Sequence, residues 1–264
     1  MEKKPERILA LSPAVADRLL TVGVTPIAVA TESEITADSH PWIYEEIKDI
    51  SSPDIHNYQN KDYEKIASLE PDLIVGLISD EDNFNKLSTI APTITPDSQE
   101  NNPNWKTQFL TSAESVNKVA EAEEKISSIE SAYKSVGDKV ENIGQMTCNW
   151  VSITSQGNIG IGNGSLLELF GLKANQDNSQ QGSSSISREN MNQLNADYIG
   201  IWIKNEQQEY SAESDPNFQN LPAVQGGNIY WAHTPEASAM NLPSPMALDW
   251  LLDKLTPSIE ALGR

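Results

Sequence analysis

Short apolar runs alternate with amphipathic stretches along the chain. "RILAL" (Arg7–Leu11) predicts a strand ending at Ser12-Pro13, Ala14–Val22 a helix stopped by Gly23, and "PIAVA" (Pro26–Ala30) a second strand. In "NKDYEKIASLEPDLIVG" (Asn60–Gly76), Asp62 can cap a helix, Pro71 can end it, and Leu73–Ile78 reads as a buried strand. Strands alternating with helices predict an α/β lobe with a mostly parallel sheet. From Thr107 to Lys139 the period changes. Phe109, Val116, Val119, Ile126, Ile129, Tyr133 and Val136 recur at helical steps with no glycine or proline before Gly137. That pattern predicts one helix of roughly 30 residues, about 45 Å long, enough to join two lobes. Beyond Gln145 the alternation resumes. It gives a strand at Asn149–Thr154, a glycine-rich loop at Ser155–Ser165, helices opening at Leu166 and Ser187, strands in "DYIGIWI" and "NIYWA", and a helical C-terminus. The expected boundaries are residues 5–105, 106–140 and 141–264: lobe, linking helix, lobe.

The second lobe echoes the first. "SRENMNQLNADYIGI" (Ser187–Ile201) repeats the Asp62 block, with Ser187 at the cap, Glu189 matching Glu64, Asp197 matching Asp72 and Ile199 matching Ile74. "LLTVGV" (Leu19–Val24) resembles "LLELFGL" (Leu166–Leu172), and "APTI" (Ala91–Ile94) resembles "LPAV" (Leu221–Val224). Three echoes in the same order predict two lobes of similar architecture. A carboxylate in a first helical turn favours the helix dipole by about 0.3–1 kcal/mol. That alone accounts for Glu64 and Glu189 as structural residues, but not for their equivalent placement.

Charge narrows the partners. With 38 acidic and 18 basic residues the formal net charge is −20, which disfavours nucleic acid and anionic membrane surfaces. No stretch approaches the roughly 20 apolar residues of a membrane span. The opening "MEKKPERILAL" reads as a mature domain with an added Met1, so a trimmed leader is expected. The single Cys148 permits no intramolecular disulfide and reads as a small buried residue.

Candidate chemistry is sparse. The glycine-rich loop lacks GKS or GKT, and Gly160-Ile-Gly162 lacks the third glycine of a dinucleotide fingerprint, so it reads as a turn lining a cleft. His40, His56 and His233 stand in no HxxxH or HxH pairing, and no nucleophile elbow occurs. A metal-dependent hydrolase using His40, His56 and Asp54 is the enzyme alternative. Aromatic residues crowd the expected loops and strand ends. Trp42, Tyr44, Tyr58, Trp105, Trp150, Trp202, Tyr210 and Trp231, with His233, are the candidate lining of a large, partly apolar ligand site.

Together and in order, "RILALSPAVADRLLTVGVTPIAVA", "YEKIASLEPDLIVG", "GSLLELFGL" and "LPAVQGGNIYWAH" resemble the blocks of substrate-binding proteins of iron-siderophore, haem and cobalamin ABC importers. The resemblance spans essentially the whole chain. It implies two Rossmann-like α/β lobes joined by one long helix, a ligand cleft between them, and no catalysis. It also implies a monomer working outside the cytoplasm, held at the membrane only through a lipid anchor. Glu64 and Glu189 fall where the family places one glutamate per lobe against arginines of a dimeric permease. No cofactor is implied; iron enters only within a bound chelate. Tri-anionic chelates call for several cations in the cleft, and the chain has four arginines: Arg7, Arg18, Arg188 and Arg264. Lys106 and Lys204 are the nearest cationic candidates. A ferric hydroxamate is therefore the favoured ligand, cobalamin the runner-up. Haem comes third, since a tyrosine or histidine could hold its iron but its propionates would want cations.

Overall fold

A computed structural model describes residues 4–262 apart from 32–33, 53–54, 56–61, 79, 97–103, 154–157, 163 and 176–184. The chain divides into two compact units. One comprises Met1–Ser128 and Leu242–Asp249, the other Ile129–Asn241 and Trp250–Arg264. This division departs from the boundaries expected from sequence, because a C-terminal segment returns to the first unit.

The first unit holds a five-stranded sheet. Strands β1 (Ile8–Ala10), β2 (Ala28–Ala30), β3 (Ser51–Ser52), β4 (Leu73–Val75) and β5 (Thr93–Ile94) lie in the order β3-β2-β1-β4-β5, every pair parallel. The three longer strands are buried along their whole length, as strands covered on both faces must be. Helices α1 (Pro13–Thr21), α2 (Tyr44–Ile47), α3 (Tyr63–Ser68) and α4 (Glu81–Ile90) make the crossovers. Each of α1, α3 and α4 starts under a side-chain cap. Ser12 accepts from the Val15 amide, Asp62 from Lys65 and Asp80 from Asn83.

The second unit is built on the longer strand β6 (Thr147–Ile153). Strands β7 (Ile159–Ile161), β8 (Lys173–Ala174), β9 (Ser185–Ile186), β10 (Tyr198–Trp202) and β11 (Ile229–Ala232) complete its sheet. The order is β11-β10-β6-β7-β9, with β8 also on β6. Strands β6, β10, β11 and β8 run parallel, and β7 is antiparallel to both β6 and β9.

The repeat seen in sequence has a physical counterpart. Both carboxylate oxygens of Asp72 accept backbone N–H groups, from Glu6 and Arg7, each at 2.8 Å. Asp197 accepts the Thr147 amide at 2.6 Å and its hydroxyl at 2.9 Å. In return the Asp72 amide donates to Arg7 O and the Asp197 amide to Thr147 O. Each aspartate thus fixes the register of a parallel strand pair, β4 on β1 and β10 on β6. The glycine echo also holds, since Gly23 and Gly171 both take positive φ, +76° and +98°. Two other echoes do not extend to conformation. "APTI" contains β5, whereas Pro222–Gln225 is a turn of helix. Ser187 caps no amide: it precedes a 3₁₀ helix (Arg188–Leu194), and its hydroxyl accepts from the Asn190 side chain.

The linking helix is shorter than its periodicity predicts. The stretch Thr107–Lys139 is two helices, α5 (Trp105–Ser115) and α6 (Val119–Gly137). Asn117 adopts φ +57° between them. The Lys118 amide reaches back to Ala113 O and the Asn117 amide to Glu114 O, the bond pattern of a Schellman C-cap. Asn is the side chain besides glycine that most readily takes this left-handed conformation. The chain passes between the units within α6, and α8 (Pro245–Glu260) carries it back; Lys125 of α6 pairs with Asp249 of α8.

In the first unit the N-terminus of α8 is held by a buried carboxylate. Asp17, on α1, accepts from Ser244 Oγ at 2.6 Å, the Met246 amide at 2.9 Å and the Ala247 amide at 3.1 Å. Its neighbour Arg18 is also buried and donates to Gln108 Oε1 and to Pro243 O. Burial pushes the Asp17 carboxyl up to about 6, and the Ser244, Met246 and Ala247 donors and the Arg18 charge pull it back only part of the way. A carboxyl raised in the folded state binds its proton more tightly there than when unfolded. Its contribution is therefore complete below about pH 4 and lost as pH rises through about 6. In urea denaturation, the stability of the wild type relative to Asp17→Asn should fall by roughly 2–3 kcal/mol between pH 4 and pH 7. A difference independent of pH would show that the carboxyl is ionised throughout.

Candidate functional site

In parallel sheets, ligands gather beyond the carboxyl ends of the strands, where loops and helix N-termini converge. In the first unit that edge is built by the connections leaving β1, β2, β4 and β5. Trp42 and Tyr44 lie in the connection after β2, both half-buried. The Trp42 ring packs against His40, centroids 5.5 Å apart, and burial lowers the His40 pKa. The Lys48 ammonium lies 6.0 Å from the Tyr44 ring centroid. Trp105 opens α5 after β5 and is buried, with Asn104 capping the helix in front of it. Tyr58, His56 and Asp54 lie outside the described residues.

The corresponding edge of the second unit carries Trp202, Lys204, Tyr210 and His233. Trp202 ends β10, and its ring lies under the Lys204 ammonium, 5.8 Å from the centroid. The Trp202 indole N–H is buried, with no hydrogen-bond partner among the described residues. Gln208 pins the loop that follows: its Oε1 accepts the Lys204 amide at 2.7 Å and its Nε2 donates to Ile153 O at 3.1 Å. Asn205 then caps α7 (Glu206–Glu213) by accepting the Gln208 amide. Asn205, Glu206, Gln207 and Tyr210 line an open cavity of about 630 Å³. Tyr210 is 67 % exposed. His233 follows β11, exposed, and its amide donates to Glu236 at the start of the next helix.

The pleat separates two tryptophans that sequence grouped together. Trp231 pairs with Ile201, and Trp202 with Ala232. Paired residues share a face and successive ones alternate. Trp231 therefore packs on the Ile199–Ile201 face, with Phe218 5.8 Å from its ring. Trp202 lies on the opposite face and cannot sandwich one ligand with it. Trp150 is a correction to the expected lining. It stands in the middle of β6, 3 % exposed, with its ring against Gly162 and Gly200, where a Cβ at either glycine would strike it. It is a core side chain to which glycine gives room. Cys148 is buried as well, and burial and Glu168 push its thiol up to about 12, leaving it protonated and inert.

Of the "NEQQEY" segment (Asn205–Tyr210) the sequence pointed only to Tyr210, because polar residues after a strand look like any solvated loop. The signal was a cap residue followed by two glutamates, directly after an aromatic strand end. Glu64 and Glu189 are both exposed, each in the first turn of a helix. These helices lead into β4 and β10 respectively, so each glutamate lies on the carboxyl-end side of its own sheet.

Two α/β units on mostly parallel sheets, with aromatic and polar groups gathered at strand ends, define a two-lobed binding protein. A family model described as "periplasmic binding protein" matches residues 8–235, and the chain belongs to that family. It is a family of binding proteins, so the hydrolase alternative falls. Among curated proteins of Bacillus subtilis (strain 168), the chain is similar to the probable siderophore-binding lipoprotein YfiY, 29 % identical over 150 residues. That match covers 56 % of this chain and 44 % of YfiY. It is also similar to the petrobactin-binding protein YclQ, 21 % identical over 243 residues, 87 % of this chain and 75 % of that one. A periplasmic solute binding protein from Mycobacterium smegmatis shares the fold at a TM-score of 0.82 and 26 % identity, covering 98 % of this chain and 93 % of the other. Staphylococcus aureus SirA, solved with staphyloferrin B, matches at 0.78 and 22 %, covering 98 % and 94 %. Streptococcus pneumoniae PiaA, solved with ferrichrome, matches at 0.78 and 20 %, covering 98 % and 94 %. No helix among the described residues is long and apolar enough to cross a membrane.

The two tryptophans of the second unit's Gly200 face should behave differently on mutation. Trp150→Ala should cost about 3–5 kcal/mol in chemical denaturation, since it empties a closed site. Trp202→Phe should stay within about 1 kcal/mol of wild type, because it also deletes a buried unpaired donor. Equal losses would put Trp202 in the core beside Trp150.

Proposed function

We propose that this protein captures a ferric siderophore outside the cytoplasm and delivers it to an ABC permease. The relatives' names support the ligand class, because YfiY is called siderophore-binding and YclQ petrobactin-binding. SirA and PiaA were solved with staphyloferrin B and ferrichrome. The chelators differ among them, so the preference within the class rests on this chain's own charges. One observation carries it: the described arginines are already committed. Arg7 donates to the carbonyls of Leu69 and Glu70 at the end of α3. Arg18 is buried on Gln108 and Pro243, and Arg188 donates to Ser211 and lies 3.9 Å from Asp215. A tri-anionic chelate would need such guanidinium groups. A neutral or cationic ferric hydroxamate does not, and aromatic side chains such as Trp42, Tyr44 and Trp202 suit its partly apolar shell.

The purified protein should show a fall in tryptophan fluorescence on titration with ferric hydroxamates, and weaker or no response to ferric tricatecholates, cobalamin and haem. A response to cobalamin or haem with none to hydroxamates sinks the ligand assignment.

Delivery is proposed to run through Glu64 and Glu189, one exposed carboxylate per unit, meeting basic groups on the two halves of a permease dimer. A lipid anchor, as the name lipoprotein given to YfiY suggests for that protein, would keep a monomer near the membrane. The double variant Glu64→Ala/Glu189→Ala should bind ligand as wild type does, yet support much less uptake. Reversal of both to lysine should do more, since like charges would then face each other. Undiminished uptake by the double alanine variant would leave both glutamates as helix-start carboxylates only.

A further inference from the structure

Tyr63 precedes Glu64 and Arg188 precedes Glu189, at matching positions of the two echoed blocks. Both of these side chains are half-buried, while both glutamates are exposed. Each reaches past the strand that follows it, to the helix beyond that strand. Tyr63 Oη donates to Asn83 Oδ1 on α4, 20 positions further along the chain. The Lys86 ammonium of the same helix lies 5.5 Å from the Tyr63 ring centroid. Arg188 Nη2 donates to Ser211 Oγ on α7 at 2.9 Å, 23 positions further along, and Nη1 lies 3.9 Å from Asp215. A phenol and a guanidinium share little chemistry, yet both make the same connection, from the residue before the glutamate to the helix after the next strand.

The two turns differ in how much they depend on it. In the first unit Asp62 also accepts the Lys65 amide, and the Tyr63 ring packs with Phe84 against the core. In the second unit the Ser187 side chain caps no amide, and Asn190 departs from helical geometry at φ −104°, ψ 19°. The start of this 3₁₀ helix is instead tied through Arg188, by its guanidinium on Ser211 and by its carbonyl, which accepts from Asn217 Nδ2 at 3.4 Å. The Glu189 Cα stands one planar peptide further on, about 3.8 Å away. A carboxylate on a turn left free must be ordered when a partner binds, and that ordering subtracts from affinity.

We infer that Tyr63 and, to a greater degree, Arg188 are positioning residues for docking: they hold the turns that present Glu64 and Glu189 to basic groups of the permease. This rests on the docking role proposed for the two glutamates and adds to it what aims each carboxylate.

The test measures binding of the fluorescently labelled protein to membrane vesicles of its source cell, with unlabelled wild type as competitor. Arg188→Ala and Ser211→Ala should each weaken competable binding about two- to tenfold, the cost of ordering a freed side chain and its turn. Tyr63→Phe should do less, because the Asp62 cap remains. In a Glu189→Ala background, Arg188→Ala should add no further loss. Where circular dichroism shows Arg188→Ala to be misfolded, Ser211→Ala, which deletes a single hydroxyl, carries the same comparison. An equal loss with and without Glu189 overturns the inference, because a merely structural role does not act through that carboxylate. Unchanged binding by Arg188→Ala and Ser211→Ala, beside a loss in Glu189→Ala, overturns it too and leaves the docking role standing. No loss in Glu189→Ala, or no competable binding by the wild type, overturns both.

Discussion

Both units depend on one contact, an aspartate carboxylate closing on the backbone at the start of the neighbouring parallel strand. Parallel strands have no hairpin to fix their register, and a one-residue slip would turn every side chain to the wrong face. Asp72 and Asp197 remove that freedom with short bonds to Glu6, Arg7 and Thr147. Everything that the site needs follows from the register. It decides that Ile199 and Ile201 face one layer of helices while Gly200 faces Trp150. It also decides that β10 ends on Trp202, on the face away from Trp231. The carboxylates are partly in water, so their value lies in satisfying strand-start amides that would otherwise have no fixed partner.

The alternation of apolar and amphipathic segments made the α/β architecture legible, and the repeated Asp-x-Ile pattern made the two-unit organisation legible. The helix break at Asn117 was not. Asn has ordinary propensity inside a helix, and the apolar period runs through Val116 and Val119 without a phase error large enough to notice. Only the backbone shows the left-handed residue and the two reaching amides that end α5. The return of residues 242–249 to the first unit was equally hidden. It depends on a carboxylate at Asp17 more than two hundred positions away in sequence, and local pattern carries no trace of such a contact.

For the site, residue type is a poor guide to where a side chain points. Tryptophans in strands were grouped as ligand contacts because large aromatics near strand ends often are. Trp150 fails that reading by three residues: it stands mid-strand, where the two glycines opposite mark a closed pocket for its ring. Trp202, by contrast, is the last residue of its strand and half-buried. Sequence can count such offsets only once strand ends are known, and ends are its least certain product. The polar segment after Trp202 lacked any apolar signature, so its cavity could emerge only from the fold.

This arrangement separates what must stay fixed from what can vary. The strands, their aspartate clamps and the glycine-lined tryptophan form a frame in which most single changes cost stability. The groups beyond the strand ends sit on caps and loops whose bonds are local: Asn205 to Gln208, Gln208 to Lys204 and Ile153, Glu236 to His233. A change of charge at Glu206 or of aromatic at Tyr210 disturbs none of the frame, because neither side chain contributes to a core. Relatives at 20–26 % identity keep the fold at TM-scores of 0.78–0.82, as such a division allows. Side chains at the strand ends can therefore change in charge or shape without disturbing the shared frame.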